Sequence, residues 1–234
     1  EAYRRHWNAL GITFAGILSG YLASPEAAYQ TAEFVDTFHH TGVTYLCDPV
    51  LGDQGRVYKG FTDASIKAMR SLAEKADFLT PNLTEFCLLT GTEMDAIMNR
   101  EKEDKDALFA ILTQKAAAFS QTDLVITGIP LKGEKSGKEI CNLIISKGSS
   151  HPVIFPHLGG SYSGTGDLFA AVLLAARLHK EGLVPSVNKA GQFIAKGITA
   201  AQKEHTPGNA GIDYEPFLPL LRSSKEDGHD SAHA

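Results

Sequence analysis

The sequence predicts an α/β fold: a mostly parallel central sheet with helices on both faces and antiparallel strands near one edge. Three observations carry this. Short apolar runs alternate with stretches of helical length between Ile12 and Thr127, the pattern of parallel strands joined by helical crossovers. Beyond residue 140 the spacing changes. Ile140–Lys147 and Pro152–Phe155 are strand-like runs with only a Gly-Ser turn between them, which forces antiparallel pairing. Finally, 234 residues with 43% hydrophobic content suffice for one large core, and no linker or internal repeat divides the chain.

Taken in order, Glu1–Gly11 reads as the last turns of a helix with Gly11 at its C-cap. With no initiator Met and no helix start, the chain is expected to be a fragment of a longer natural protein. The apolar run Ile12–Leu18 is expected to be a strand buried on both faces. Ser24-Pro25-Glu26 supplies an N-cap with Pro at the first helical position, opening a helix to about Gly42. Val43–Cys47 is the second strand, stopped by Asp48-Pro49. A loop rich in Gly and Asp, Val50–Gly60, leads to a helix across Asp63–Lys75. Asp77–Thr80 is a third strand, broken by Pro81, and Leu83–Thr90 a short helix closed by Gly91. The charged stretch Arg100–Asp106 reads as a solvated helix start, and Leu124–Thr127 as the fourth strand. The final third is helical. Leu168–Ala176 is nearly all apolar, as a buried helix requires, and Ala190, Phe193, Ile194, Gly197, Ile198 and Ala201 make one stripe at helical spacing. The tail from Ser223 is polar and expected to be disordered, leaving residues 1–222 as a single domain.

The formal net charge of -5 gives no electrostatic footprint for nucleic acid or an anionic membrane. No apolar run reaches the length of a membrane span. The nine histidines lack the close spacing of a zinc site. Cys47, Cys87 and Cys141 are far apart and each sits in an apolar run, so they read as buried free thiols in a reducing cytoplasm.

The chemistry-bearing residues collect at strand ends, where ligands bind in open parallel sheets. Strand one ends in Ser19-Gly20-Tyr21 and strand two in Asp48-Pro49-Val50, with Asp53 shortly after. Strand three ends in Thr80-Pro81-Asn82, with Glu85 one turn on, and strand four in Thr127-Gly128. Each pair alone is an ordinary turn dipeptide; their alignment on one edge of one sheet is the signal. Asp48, Thr80, Asn82 and Glu85 offer hard oxygen ligands, or holders of water, for Mg²⁺ with a polyphosphate. Thr80 and Thr127 can donate hydroxyl hydrogen bonds to phosphate. Ser163-Gly164-Thr165-Gly166-Asp167 runs directly into the buried helix. Asp167 could be a simple cap, but a cap does not need the two glycines, whereas a phosphate lying against the main chain does. A carboxylate beside that phosphate is placed to act as base for an attacking hydroxyl. No P-loop motif occurs, and the dinucleotide fingerprint fails because Phe169 stands where its third glycine belongs.

In order and spacing, four segments resemble the pyridoxal kinase branch of the ribokinase-like superfamily. They are Ser19–Leu22, Cys47–Asp53, Ala76–Asn82 with Glu85, and Gly164–Ala171. The resemblance implies a ribokinase-like three-layer sandwich. It also implies an ATP-dependent kinase that phosphorylates the hydroxymethyl group of pyridoxal, pyridoxine or pyridoxamine. By the motif match, Asp167 would be the general base, and Gly164, Thr165 and Gly166 with Asp167 the anion hole. Asp48 and Glu85 would manage Mg²⁺. Asp53, Thr80, Asn82, Thr127 and Gly128 would face the nucleotide phosphates, and Tyr21 would lie close to the vitamin. A cytoplasmic homodimer is implied; whether a monovalent cation assists stays open.

Two departures stand out. The family's first strand, its pyridine contacts and elements of the cover and dimer surface have no counterpart ahead of Glu1. Gly128 stands where relatives often carry a second hydroxyl residue. The chain by itself is therefore expected to be weakly active or inactive. The nearest rival, a hydroxymethylpyrimidine or phosphomethylpyrimidine kinase, commonly carries Cys where this chain has Asp167. A rival of another class is an inactive fragment that only binds nucleotide.

Overall fold

The structure is a computed structural model that describes residues 1–95, 97, 105–119, 122–132 and 138–222. The tail assignment from Ser223 and residues 100–104 of the charged stretch lie outside the described residues.

The chain opens with helix α1 (Ala2–Ala9), which closes at Gly11 in a left-handed conformation. Strand β1 is Gly16–Ser19, shorter than expected and set at the edge of the sheet. Ile17 is buried, but Leu18 is 41% exposed, so β1 is covered on one face rather than two. Helix α2 (Pro25–Phe38) starts as the sequence predicts, with the Ser24 hydroxyl accepting from Ala27 N at 3.2 Å. It ends four residues before Gly42. Strand β2 (Thr44–Cys47) follows.

The stretch expected as a loop folds into a small antiparallel hairpin, β3 (Gly52–Asp53) and β4 (Arg56–Val57). Gln54 and Gly55 form its two-residue turn, both at positive φ, which matches the twist of the flanking strands. Next come α3 (Asp63–Ala73), β5 (Phe78–Leu79) and α4 (Leu83–Thr90), the last closed by Gly91 in the left-handed conformation. Helix α5 is Lys105–Phe119. Strand β6 (Asp123–Lys132) continues well past Thr127, because a register shift between Ile126 and Ile129 carries it on against β7. Strands β7 (Lys138–Ser146) and β8 (Ser149–Pro156) are antiparallel as predicted. Their turn is Lys147–Gly148, both at positive φ, so Ser149 already belongs to β8. Helices α6 (Thr165–Leu178) and α7 (Leu183–Lys203) and two short 3-10 turns complete the described chain.

The main sheet has six strands in the order β1-β2-β5-β6-β7-β8. The first four are mutually parallel, and β6, β7 and β8 are antiparallel neighbours. Alternating side chains divide the core in two, as a sheet covered on both faces requires. Tyr45, Cys47, Leu124 and Ile126 pack with α2, α3, α4 and α5 in one cluster. Leu46 and Val125 pack with α6 and α7 in the other. The molecule is thus a three-layer sandwich with the parallel strand ends opening at one edge. The stripe on α7 is core: Ala190, Phe193, Gly197 and Ala201 are buried. Among the described residues, no helix is long and apolar enough to cross a membrane.

Candidate active site

The carboxyl ends of β2, β5 and β6 open onto a cavity of about 800 Å³. Every residue given a catalytic, metal or phosphate role from the sequence lines it, and Tyr21, expected beside the vitamin, does not. Asp48, Asp53, Thr80, Asn82, Glu85, Thr127 and Gly128 come from the strand ends, and Gly164, Thr165, Gly166 and Asp167 from the start of α6. Tyr21 stands outside the lining, 61% exposed and edge-on to Phe61 with ring centroids 5.7 Å apart. Its neighbour Gly20 is near the cavity, since a Cβ there would lie 3.5 Å from Asp167 Oδ1.

The start of α6 decides between a cap and an anion loop. Ser24, Thr62 and Asn82 each cap their helices with a side-chain oxygen. Helix α6 has no side-chain cap; its N-cap is Gly164 at φ +81, a conformation that any Cβ would strain. Its first-turn N–H groups, and the positive end of its dipole, are left to an anionic partner from the cavity. Asp167, in that first turn, is exposed. The approach is braced from behind by Thr165 Oγ1 donating to Tyr162 O at 3.0 Å and Ser163 N donating to Gly208 O at 2.9 Å.

Opposite stands a buried pair of carboxylates. Asp48 is only 6% exposed, and its Oδ1 accepts the Thr80 hydroxyl at 3.1 Å. Its Oδ2 faces the anion loop, 4.0 Å from where a Cβ on Gly166 would stand. Glu85 is 4% exposed and serves the main chain with both oxygens. Oε1 accepts Leu51 N at 3.1 Å, and Oε2 accepts Asn82 N at 2.8 Å. Asn82 answers by accepting Glu85 N at 3.0 Å, closing a capping box, while its Nδ2 donates to Gly52 O at 2.8 Å. Thr127 is bridged to Asn82 across the neighbouring strand ends.

Burial pushes Asp48 up to about 7, helped by the charge of Asp167 and opposed by the Thr80 hydroxyl. Burial likewise pushes Glu85 up to about 8; the Asn82 and Leu51 N–H groups pull down, and the Asp48 charge pushes up. Both groups are hard oxygen donors beside an anion site, and Asp48 Oδ2 is turned toward the anion loop. That donor set fits a divalent cation that keeps most of its waters. Among the described residues no cluster of three or more His, Cys, Asp or Glu side chains is placed to enclose a metal.

Sequence reasoning missed several lining residues. Thr84 accepts Gly55 N at 2.9 Å and pins the tip of the hairpin, and Arg56 and Tyr58 reach the cavity from β4 and just beyond it. Only the hairpin turn signal around Gln54-Gly55 could have pointed to them.

The phosphomethylpyrimidine kinase family model matches residues 9–211. The pyridoxal kinase of Dictyostelium discoideum is 26% identical over 235 residues, a match that covers 93% of this chain and 72% of that protein. With four other curated relatives the match spans only 47–51% of their length, so the chain spans about half of those proteins. Among solved structures, a Bacteroides thetaiotaomicron protein of the phosphomethylpyrimidine kinase type, crystallised with pyridoxal, superimposes with a TM-score of 0.82. It is 29% identical, and the match covers 94% of this chain and 75% of that one. The pyridoxal kinase of Lactobacillus plantarum gives a TM-score of 0.79 at 25% identity, covering 97% and 78%.

The raised carboxyl groups set a pH dependence. A folded-state value above the unfolded one means that the folded state binds the proton more tightly. The resulting stability is complete below the ordinary values of 3.8 and 4.5 and is lost as pH rises through about 7 and 8. Metal-free protein should therefore melt several degrees lower at pH 8.5 than at pH 5.5, and Asp48→Asn should flatten that slope. Differential scanning calorimetry in the presence of a chelator checks this; a melting temperature that holds level or rises across the interval contradicts it.

Proposed function

The chain belongs to the phosphomethylpyrimidine kinase family, and from that premise we propose that it is a pyridoxal kinase. It transfers the terminal phosphoryl group of ATP to the hydroxymethyl oxygen of pyridoxal, pyridoxine or pyridoxamine, giving the 5′-phosphate. The observation that carries this is the uncapped start of α6, with Asp167 in its first turn and Asp48 facing it across one cavity. Its relatives favour the vitamin B6 substrate over the pyrimidine one. The curated Dictyostelium protein is named a pyridoxal kinase, and the Bacteroides structure was crystallised with pyridoxal.

In this reading the Asp167 carboxylate accepts the proton of the substrate hydroxymethyl group as its oxygen attacks the terminal phosphorus. The new O–P bond forms while the bond from that phosphorus to the bridging oxygen breaks, and ADP leaves. The main-chain N–H groups of Gly164, Thr165, Gly166 and Asp167 receive the charge of the transferring group, an electrostatic contribution that costs no reorganisation. Asp48 and Glu85 are the residues that would hold Mg²⁺ or its waters, and the ion would supply positive charge against the phosphoryl oxygens. Thr80 keeps Asp48 in place through its hydroxyl. Asp53, Asn82, Thr127 and Gly128 line the path of the polyphosphate, and Tyr21 flanks the entry of the vitamin. Residues 1–222 act as one kinase domain, and the working assembly is a cytoplasmic homodimer.

Asp167→Asn should lower turnover by about 10²–10⁴-fold while leaving ATP affinity within a few-fold. Steady-state kinetics with isothermal titration decide this, and near-normal turnover would reduce Asp167 to a bystander of the helix. Asp48→Ala should raise the Mg²⁺ concentration needed for half-maximal rate; an unchanged magnesium dependence removes Asp48 from the metal site.

A further inference from the structure

Charge in the cavity is unevenly distributed. Asp48, Asp53, Glu85, Asp95 and Asp167 all line it, and among the described lining residues Arg56 is the one cationic side chain. A nucleotide polyphosphate would meet strong repulsion there. The start of α6 contributes only about half a positive charge, and a divalent ion is first attracted to the carboxylates themselves. Among the described lining residues, a fixed cation directed at the phosphates can come only from Arg56, which has the chemistry for it. Its planar guanidinium presents five donors that match phosphate oxygens in pairs and stays charged at any working pH.

The fold holds Arg56 ready for this task. The residue opens β4, directly after the hairpin turn, with Asp53 as its cross-strand partner. Three hydrogen bonds fix the hairpin to the cavity wall, Leu51 N to Glu85 Oε1, Asn82 Nδ2 to Gly52 O and Gly55 N to Thr84 Oγ1, and a fourth, Tyr58 N to Leu51 O, closes its base. The two hairpin strands approach so closely that a Cβ on Gly52 would collide with the Arg56 carbonyl oxygen. Arg56 and Tyr58 both line the cavity while Val57 between them does not, as the period of two along an extended chain requires. Tyr58 lines the same cavity as Asp53, Glu85, Asp48 and Asp167. The Arg56 side chain makes no hydrogen bond or ion pair with a described residue, although Asp53 is its partner in register. Among the described residues its guanidinium is uncommitted.

We propose that Arg56 is the side chain that clamps the terminal phosphoryl group of the nucleotide, from the hairpin side, opposite the start of α6. The inference rests on the kinase reading above and adds the residue that makes a carboxylate-lined cavity receptive to a polyphosphate. Because ADP lacks the clamped group, the contact serves ATP and the transition state rather than the product.

The test compares the full chain with its Arg56→Ala and Arg56→Lys variants, by calorimetric binding of ADP and of a non-hydrolysable ATP analogue with Mg²⁺, and by turnover with pyridoxal. Arg56→Ala should melt like the parent and bind ADP within about threefold, yet bind the ATP analogue about tenfold or more weakly. Its turnover should fall on the order of 10²-fold, and Arg56→Lys should recover part of both losses. An Arg56→Ala protein with unchanged affinity for the analogue and unchanged turnover overturns this inference alone. A parent chain that binds both nucleotides but does not phosphorylate pyridoxal overturns the substrate reading, while the binding comparison still decides Arg56. A parent chain that binds neither nucleotide overturns both.

Discussion

The site depends on one buried carboxylate. Glu85 takes a main-chain N–H from Leu51 with one oxygen and from Asn82 with the other. It thereby joins the segment leaving β2 to the turn leaving β5. Leaving either N–H unpaired in this buried place would cost about 1–3 kcal/mol. The arrangement sets the start of α4, the root of the β3–β4 hairpin and the floor of the cavity together. Asp48, Thr80 and Arg56 occupy their places because those segments cannot slide past one another.

That architecture carries a stability cost that the function explains. Two carboxyl groups with 6% and 4% exposure, near each other and near Asp167, are held in their protonated range close to neutrality. A protein selected for stability alone would place apolar residues there. A cavity built to receive cation and polyphosphate together needs those oxygens, and an arriving cation would take the place of their protons. The free start of α6 follows the same logic: α2, α3 and α4 are closed by side-chain caps from Ser24, Thr62 and Asn82, whereas α6, like α7, has none, and at α6 the uncapped turn lines the cavity.

Much of this was legible in the sequence. The helix starts at Ser24-Pro25 and Asn82, the stop at Gly91 and the β7–β8 pair were read correctly, because capping and turn chemistry are local. The strand-end residues were legible because Asp48, Thr80, Asn82 and Thr127 follow apolar runs at matching places in successive βα units. Other features depend on tertiary context. Ile12–Leu18 looks like a strand covered on both faces, yet only Gly16–Ser19 pairs, and Leu18 faces solvent at the sheet edge. The continuation of β6 past Gly128 follows from pairing with β7 and from Gly128 N donating to Asn142 Oδ1 at 3.1 Å, a partner 14 residues away. The hairpin escaped notice because strands of two residues leave no alternation to read. Arg56 and Thr84 are polar residues without periodicity, so only the folded arrangement brings them to the cavity.

The central claim is that this carboxylate-lined cavity carries phosphoryl transfer to a pyridine alcohol. Its most direct test is product analysis by mass spectrometry. The chain is incubated with ATP and Mg²⁺ and, in separate reactions, pyridoxal, pyridoxamine, pyridoxine and hydroxymethylpyrimidine. The account predicts monophosphorylated B6 vitamers, formed slowly by this chain, with kcat/KM for the best of them about tenfold or more above that for hydroxymethylpyrimidine. Preferential phosphorylation of the pyrimidine, or ATP consumption without any phosphorylated vitamer, would contradict it.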